Sequence, residues 1–183
     1  MSAARQALWR TAEAMSSAMG PDLSLRGRRL AARRHPTLSF GDLDRSPAWT
    51  GFGAEARERL ARLTGAVAVS AAWRRTVDGP TLRRAVEAVG EAGLDALLSL
   101  PAGVQGDLED KAAGSGDPAA LERLGGRILL AEIQGAAPAL APRLRSLLGT
   151  PPTVGPRPDP ALAASIRRTA EGLIAQLDTD AGS

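Results

Sequence analysis

The sequence predicts an all-α fold: a compact multi-helix single domain with short Gly/Pro turns and a Pro-linked C-terminal helix. Three observations predict it. Apolar residues recur at three- and four-residue spacing through most of the chain, the period of a helix with a buried face. Alternating β-branched or aromatic runs, which would mark strands, are missing. Glycine and proline punctuate the periodic segments where helices start and stop.

The elements follow in order. Residues 3–19 form a helix with Ala7, Leu8, Ala14, Met15 and Ala18 on a weak apolar face, ended by Gly20-Pro21. Residues 23–36 carry Arg26, Arg28, Arg29, Arg33 and Arg34 without an acid. His35-Pro36 breaks a helix there, because the residue before proline is pushed out of the α region. Residues 36–53 are irregular, with Leu38, Phe40, Leu43, Trp49 and Phe52 as apolar anchors that hold the segment onto a domain.

From Ala54 to about Thr76, Ala56, Leu60, Leu63, Val67 and Ala71 make one stripe, and Val69, Trp73 and Val77 a second. Two stripes mean a wide buried face, so this is the expected central helix. Asp78-Gly79-Pro80 is a turn, with glycine stopping one helix and proline opening the next. Leu82, Val86 and Val89 face one way on that next helix, and Gly90-Glu91-Ala92-Gly93 is a second break. Leu94, Leu97, Leu98 and Leu100 follow, closed by Pro101. Gly103 to Asp117 reads as an acidic loop with one helical turn. Asp117 is the N-cap of a helix starting at Pro118, with Leu121, Leu124, Ile128, Leu129 and Ile133 on its inner face and a break at Gly135. Pro138 to Leu148 is a short helix. Pro151, Pro152, Pro156, Pro158 and Pro160 mark a stiff linker. A last helix from Pro160 to about Leu177 carries Leu162, Ile166, Leu173, Ile174 and Leu177. The regions are 1–34, a helical Arg-rich extension; 35–150, a helical core domain; and 151–183, a Pro-rich linker and C-terminal helix.

Composition narrows the chemistry. With 183 residues the chain is about one domain. There is no cysteine and one histidine, which excludes disulfides, thiolate catalysis and cysteine- or multi-histidine metal sites. The pI of about 10.7 does not report a strong basic field, because the net charge is only +3. Of the 23 basic residues only Lys111 is lysine, and tyrosine is missing too. Nothing therefore neutralises the small excess until arginine titrates, above pH ~12. No segment is apolar for the ~20 residues of a membrane span. Met1 to Gly20 lacks a continuous apolar region with a small-residue cleavage site, so a secretory signal is not expected. The expected place is the cytoplasm.

Charge is laid out in blocks. Ala85 to Glu122 holds eight acids and one base, while Arg123 to Arg168 holds seven bases and two acids. Leu23 to Pro36 is +5. Such blocks suggest docking faces of opposite sign. The plainer reading is solvated faces of ordinary helices.

No catalytic constellation emerges. His35 stands among arginines, which favour its neutral form, and it reads as a turn residue. Asp107, Glu109 and Asp110 lack the spacing of a calcium loop. Gly51-Phe52-Gly53 and Gly125-Gly126 lack the lysine or the preceding strand of a phosphate loop. No catalytic, cofactor-binding or metal-binding residue is assigned, and no small-molecule ligand is expected. Arg26, Arg29 and Arg33 share a helical face, a phosphate stripe for the alternative reading of an Arg-rich helical nucleic-acid-binding module. The acidic centre and the lack of interleaved aromatics argue against it.

One segment carries a resemblance. Thr64-Gly65-Ala66, Trp73-Arg74-Arg75, Val77-Asp78-Gly79 and Leu82 are similar to the adaptor family of the type III secretion sorting platform (SctK/YscK-like). His35-Pro36-Thr37-Leu38 resembles the family's early His-Pro motif. Gly90-Glu91 with Leu94, Leu97, Leu98 and Pro101 resembles its Gly-x-x-x-Leu stretch. Ala137-Pro138-Ala139-Leu140 with Arg143-Leu144-Arg145 resembles its closing segment, although that segment often ends in Leu-Pro and here reads Leu147-Leu148-Gly149. The matches cover about residues 35–148; the two ends have no counterpart.

The resemblance implies a non-enzymatic cytoplasmic adaptor, peripheral at the inner membrane through its protein partners and not inserted in it. It would link the inner-membrane ring protein's cytoplasmic domain to the spoke protein that carries the export ATPase complex, without nucleic acid. The charge blocks at 85–122 and 123–168 are candidates for its two surfaces. Candidate partner-binding residues are His35, Pro36, Trp73, Arg74, Arg75, Asp78, Gly79, Arg143 and Arg145. Trp73 also fits the core, and Asp78-Gly79 fits any helix-to-helix corner, because glycine takes positive φ at little cost. A third reading, a helical interaction protein of another system, shares the fold and differs in partner.

Overall fold

The computed structural model describes residues 42, 44–101, 111–148 and 158–181, and among them every regular element is helical. A 3-10 turn at Ala48–Gly51 leads into α1, Ala54–Arg75. α2 spans Gly79–Val89, α3 Glu91–Leu98, α4 the single turn Lys111–Gly114, and α5 Pro118–Ala136. A 3-10 turn at Pro138–Leu140 opens α6, Ala141–Leu147, and α7 runs over Pro160–Ala181. The predicted helix 3–19, the arginine run 23–36, the acidic residues 107–110 and the prolines 151–156 lie outside the described residues.

α1 is the centre. From Leu60 to Ser70 only Arg62 escapes full burial. A helix apolar nearly all round must be covered on several sides. α5 lies along one side, α7 packs on both α1 and α5, and α2 to α4 close the remainder. α1 and α5 touch backbone to backbone. A Cβ on Gly65 would stand 2.1 Å from the Leu121 carbonyl oxygen, and one on Gly125 1.7 Å from that of Ala61. Glycine is required at both places because no side chain fits between the helices.

The helix starts read from sequence hold at atomic detail. Asp117 accepts a hydrogen bond from the Ala120 N–H at 3.0 Å, with Pro118 opening α5. Gly90 has φ +80, which separates α2 from α3.

Other expectations are corrected. Gly79 does not stop α1: that helix already ends at Arg75, with Thr76 in extended backbone, and Gly79 is the first residue of α2 without positive φ. Gly93 lies inside α3, and α5 passes through Gly135 to Ala136. Val77 is not part of a buried stripe; it follows the end of α1 and is 99% exposed. Ala56 is exposed as well. In the C-terminal helix Ala163, Ile166, Ala170 and Leu173 are buried in the same core as α1 and α5.

One polar cluster is enclosed in this core. Glu132 of α5 is 7% exposed and is held by Arg167 of α7. Trp49 donates its indole N–H to the same carboxylate at 3.3 Å. The 3-10 turn, α5 and α7 are thereby tied at one point. Among the described residues no helix is long and apolar enough to cross a membrane.

Candidate functional site

The segment that carries the resemblance folds as the corner between α1 and α2. α1 closes with the Thr76 N–H donating to the Trp73 carbonyl at 3.1 Å. Thr76, Val77 and Asp78 then bridge to α2. Asp78 caps that helix, accepting from the Thr81 N–H at 3.0 Å and from its hydroxyl at 2.6 Å. The Thr81 hydroxyl, then its N–H, and the nearby Arg84 and Arg83 charges hold the Asp78 carboxyl below the usual carboxylate range.

The corner divides the predicted residues into two groups. Trp73 points inward, 1% exposed, and donates its indole N–H to the Gly114 carbonyl at 2.9 Å. It holds α4 against α1 and offers nothing to a partner. Arg74 is half-buried and donates to the Leu97 carbonyl at 3.2 Å, tying α1 to the end of α3. Its Nε is buried without a partner. Arg75, Asp78 and Gly79 are exposed. Asp78 is a cap and Gly79 the helix start, so both shape the corner.

Side chains absent from the predicted set complete it. Arg83 and Arg84 are exposed on α2. The Arg83 guanidinium reaches back to 3.9 Å from where a Cβ on Gly79 would stand. Arg75, Arg83 and Arg84 make no ion pair among the described residues. Val77, on the link between the two helices, has its whole side chain in water. An exposed aliphatic group on the same corner as three exposed arginines, set against the single Asp78 carboxylate, is suited to docking by shape and charge. Arg83 and Arg84 were legible as charges, but only the ending of α1 at Arg75 turns Val77 outward.

The remaining predicted residues do not join this corner. His35 and Pro36 lie outside the described residues. Arg143 and Arg145 belong to α6, which packs chiefly on α5 and the 3-10 turn before it. The Arg145 Nε is buried without a partner. Among the described residues, some charges of the two blocks are already paired, while Glu87, Glu91 and Asp95 of the acidic block are exposed. Glu122 pairs with Arg62, Asp117 with Arg123, and Glu132 with Arg167.

A second surface lies at the other end of α1. A groove of about 350 Å³ is lined by Leu63, Ala88, Val89 and Leu177, with Glu55, Glu58, Arg59 and Arg62 at its edge. Three helices supply it, which is why no sequence spacing marks it. Among the described residues no group of three or more metal-ligating side chains is placed to hold an ion. No family model, curated protein or solved structure matches the chain.

Proposed function

We propose that the chain is a non-enzymatic adaptor of a bacterial type III secretion sorting platform. It joins the cytoplasmic domain of the inner-membrane ring protein to the spoke protein that carries the export ATPase complex. Its place in this reading is the cytoplasm, at the inner membrane through its partners. The ordered motifs from His35 to Arg145 support this. The single observation that carries it is the Val77 corner. The stretch with the strongest resemblance, Trp73 to Gly79, keeps its tryptophan inside and puts an aliphatic group and unpaired arginines outside. A catalytic device needs convergent polar groups in a cleft; a docking device needs an outward surface of this kind.

The test is calorimetry of the purified chain against the spoke protein and against the ring protein's cytoplasmic domain. The expected result is binding to at least one of them, weakened tenfold or more by Val77→Asp, a loss of about 1.4 kcal/mol. Absence of binding to both overturns the reading. Titration with duplex DNA across a salt series checks the nucleic-acid alternative, which requires affinity that falls as salt rises.

A further inference from the structure

The fold leaves two surface features without a role. Val77 stands 99% exposed on the link between Arg75, which ends α1, and α2, which carries the exposed Arg83 and Arg84. The groove at the opposite end of α1 has an aliphatic floor of Leu63, Ala88, Val89 and Leu177. Its edge charges are not equivalent. Arg59 is held by Asp178 at 2.7 Å, and the Arg62 Nε by Glu122 at 2.9 Å. Glu55 and Glu58 make no ion pair or hydrogen bond among the described residues. The unmatched charge at the groove is therefore negative, and the unmatched charge at the corner is positive.

The Val77 tip cannot reach the Glu55–Glu58 edge within one molecule, although Arg83 and Arg84 share α2 with Ala88 and Val89 of the groove floor. At 1.5 Å of rise per residue, about 25 Å of α1 separates Glu58 from Arg75. We propose that the Val77 corner of one copy docks into the Glu55–Glu58 groove of a second copy. The aliphatic tip enters the aliphatic floor, and the arginines of the corner meet the two free carboxylates at the edge. Nucleic acid fits the corner less well. A phosphate backbone gains nothing from Val77 and is repelled by Asp78, and the ring of Trp73, at the end of α1, is buried.

Corner and groove are different patches, so the contact is heterologous and each added copy presents a fresh corner or groove. The footprint is small beside a standard interface, so association is weak and concentration-dependent. A copy docked this way has its corner covered. Self-association then competes with any other partner of that corner. None of this depends on the adaptor reading, since corner and groove belong to the chain itself.

Sedimentation equilibrium of the full chain tests the proposal. The weight-average mass is expected to rise above the monomer's 18.9 kDa with concentration. Added salt should reverse the rise, because the charges are exposed. Two variants then separate the halves of the contact. One carries Glu55→Arg and Glu58→Arg; the other carries Arg75→Ser, Val77→Ser and Arg83→Ser. All five positions are exposed, so the helical circular dichroism should not change. Each variant alone should stay monomeric. An equimolar mixture should form a 1:1 dimer that grows no further, because one intact corner meets one intact groove. A wild-type chain that is monomeric up to about 1 mM, where even an association of about −4 kcal/mol would show, overturns the proposal. So does a variant that associates like wild type, or a mixture that stays monomeric.

Discussion

The Arg167 guanidinium grips both carboxylate oxygens of Glu132, with Nε at 3.1 and 3.2 Å and Nη2 at 3.0 Å. Its remaining arm binds Glu171 one turn along α7. Burial alone would lower the Arg167 pKa, but the Glu132 and Glu171 carboxylates outweigh it and hold it above the ordinary arginine value. Removing Arg167 leaves the buried Glu132 carboxylate with only the Trp49 N–H, and removing Glu132 leaves Arg167 with Glu171 alone and Trp49 without an acceptor. Glu132→Ala or Arg167→Ala is expected to cost about 3 to 5 kcal/mol in urea unfolding. The double change Glu132→Leu with Arg167→Met should be far milder than either single change, because no orphan charge is left.

The α1–α5 contact sets a second expectation. Gly65→Ala and Gly125→Ala each force a methyl group into a backbone carbonyl. Overpacking of this kind costs about 3 kcal/mol or more. The melting temperature should fall by roughly 6 to 12 °C. Gly172 lies within α7 with nothing near its missing Cβ. Gly172→Ala should instead stabilise by about 0.5 to 1 kcal/mol, through helix propensity. Equal effects at Gly65 and Gly172 would contradict the close approach of α1 and α5.

Trp73 and Val77, four residues apart, should separate stability from docking. Trp73→Phe keeps most of the apolar bulk but leaves the Gly114 carbonyl without its donor. The expected cost is about 1 to 3 kcal/mol, with unchanged association at temperatures where the chain is folded. Val77→Ser should leave stability within about 0.5 kcal/mol, as surface substitutions do. Its effect should appear in self-association and partner binding. Thermal melts combined with sedimentation distinguish the two outcomes.

Acid should loosen the corner in a defined direction. The Asp78 carboxyl is held below its ordinary value in the folded chain, first by the Thr81 hydroxyl. As pH falls, the unfolded chain takes up the proton first. The cap's contribution is therefore complete above the usual aspartate pKa of about 3.9 and is lost as pH drops through the lower folded value. Amide exchange at Thr81, followed from neutral to acid pH, should show protection falling in that window. Asp78→Asn keeps an acceptor but does not titrate, so the fall should disappear.

Much of the fold was legible one turn at a time. Asp117 before Pro118 announces a helix start, because a cap is a contact between residues three apart, whereas Asp78 reads only as part of a turn and the structure makes it a cap. Leu60, Leu63, Val67 and Trp73 announce a buried helix through their period. The corner was legible as a motif, and Arg75 and Asp78 proved exposed within it. Trp73 stood among both the docking and the core candidates, and its contact with Gly114, 41 residues on, places it in the core.

The sequence by itself determined the all-α class, the order of the described helices, the Asp117 cap and the excess of arginine over other cations. These rest on local spacing and on the chemistry of single residues. Only the tertiary structure decided which glycines are spacers, since the demand on Gly65 comes from Leu121 and that on Gly125 from Ala61. It also decided which charges are spent. Arg62, Arg123 and Arg167 are matched by Glu122, Asp117 and Glu132, while Arg75, Arg83 and Arg84 make no ion pair among the described residues. Charge along a chain adds up the same however it folds. Whether a charge faces its opposite or faces water depends on which helices meet, and that depends on packing among residues far apart in sequence.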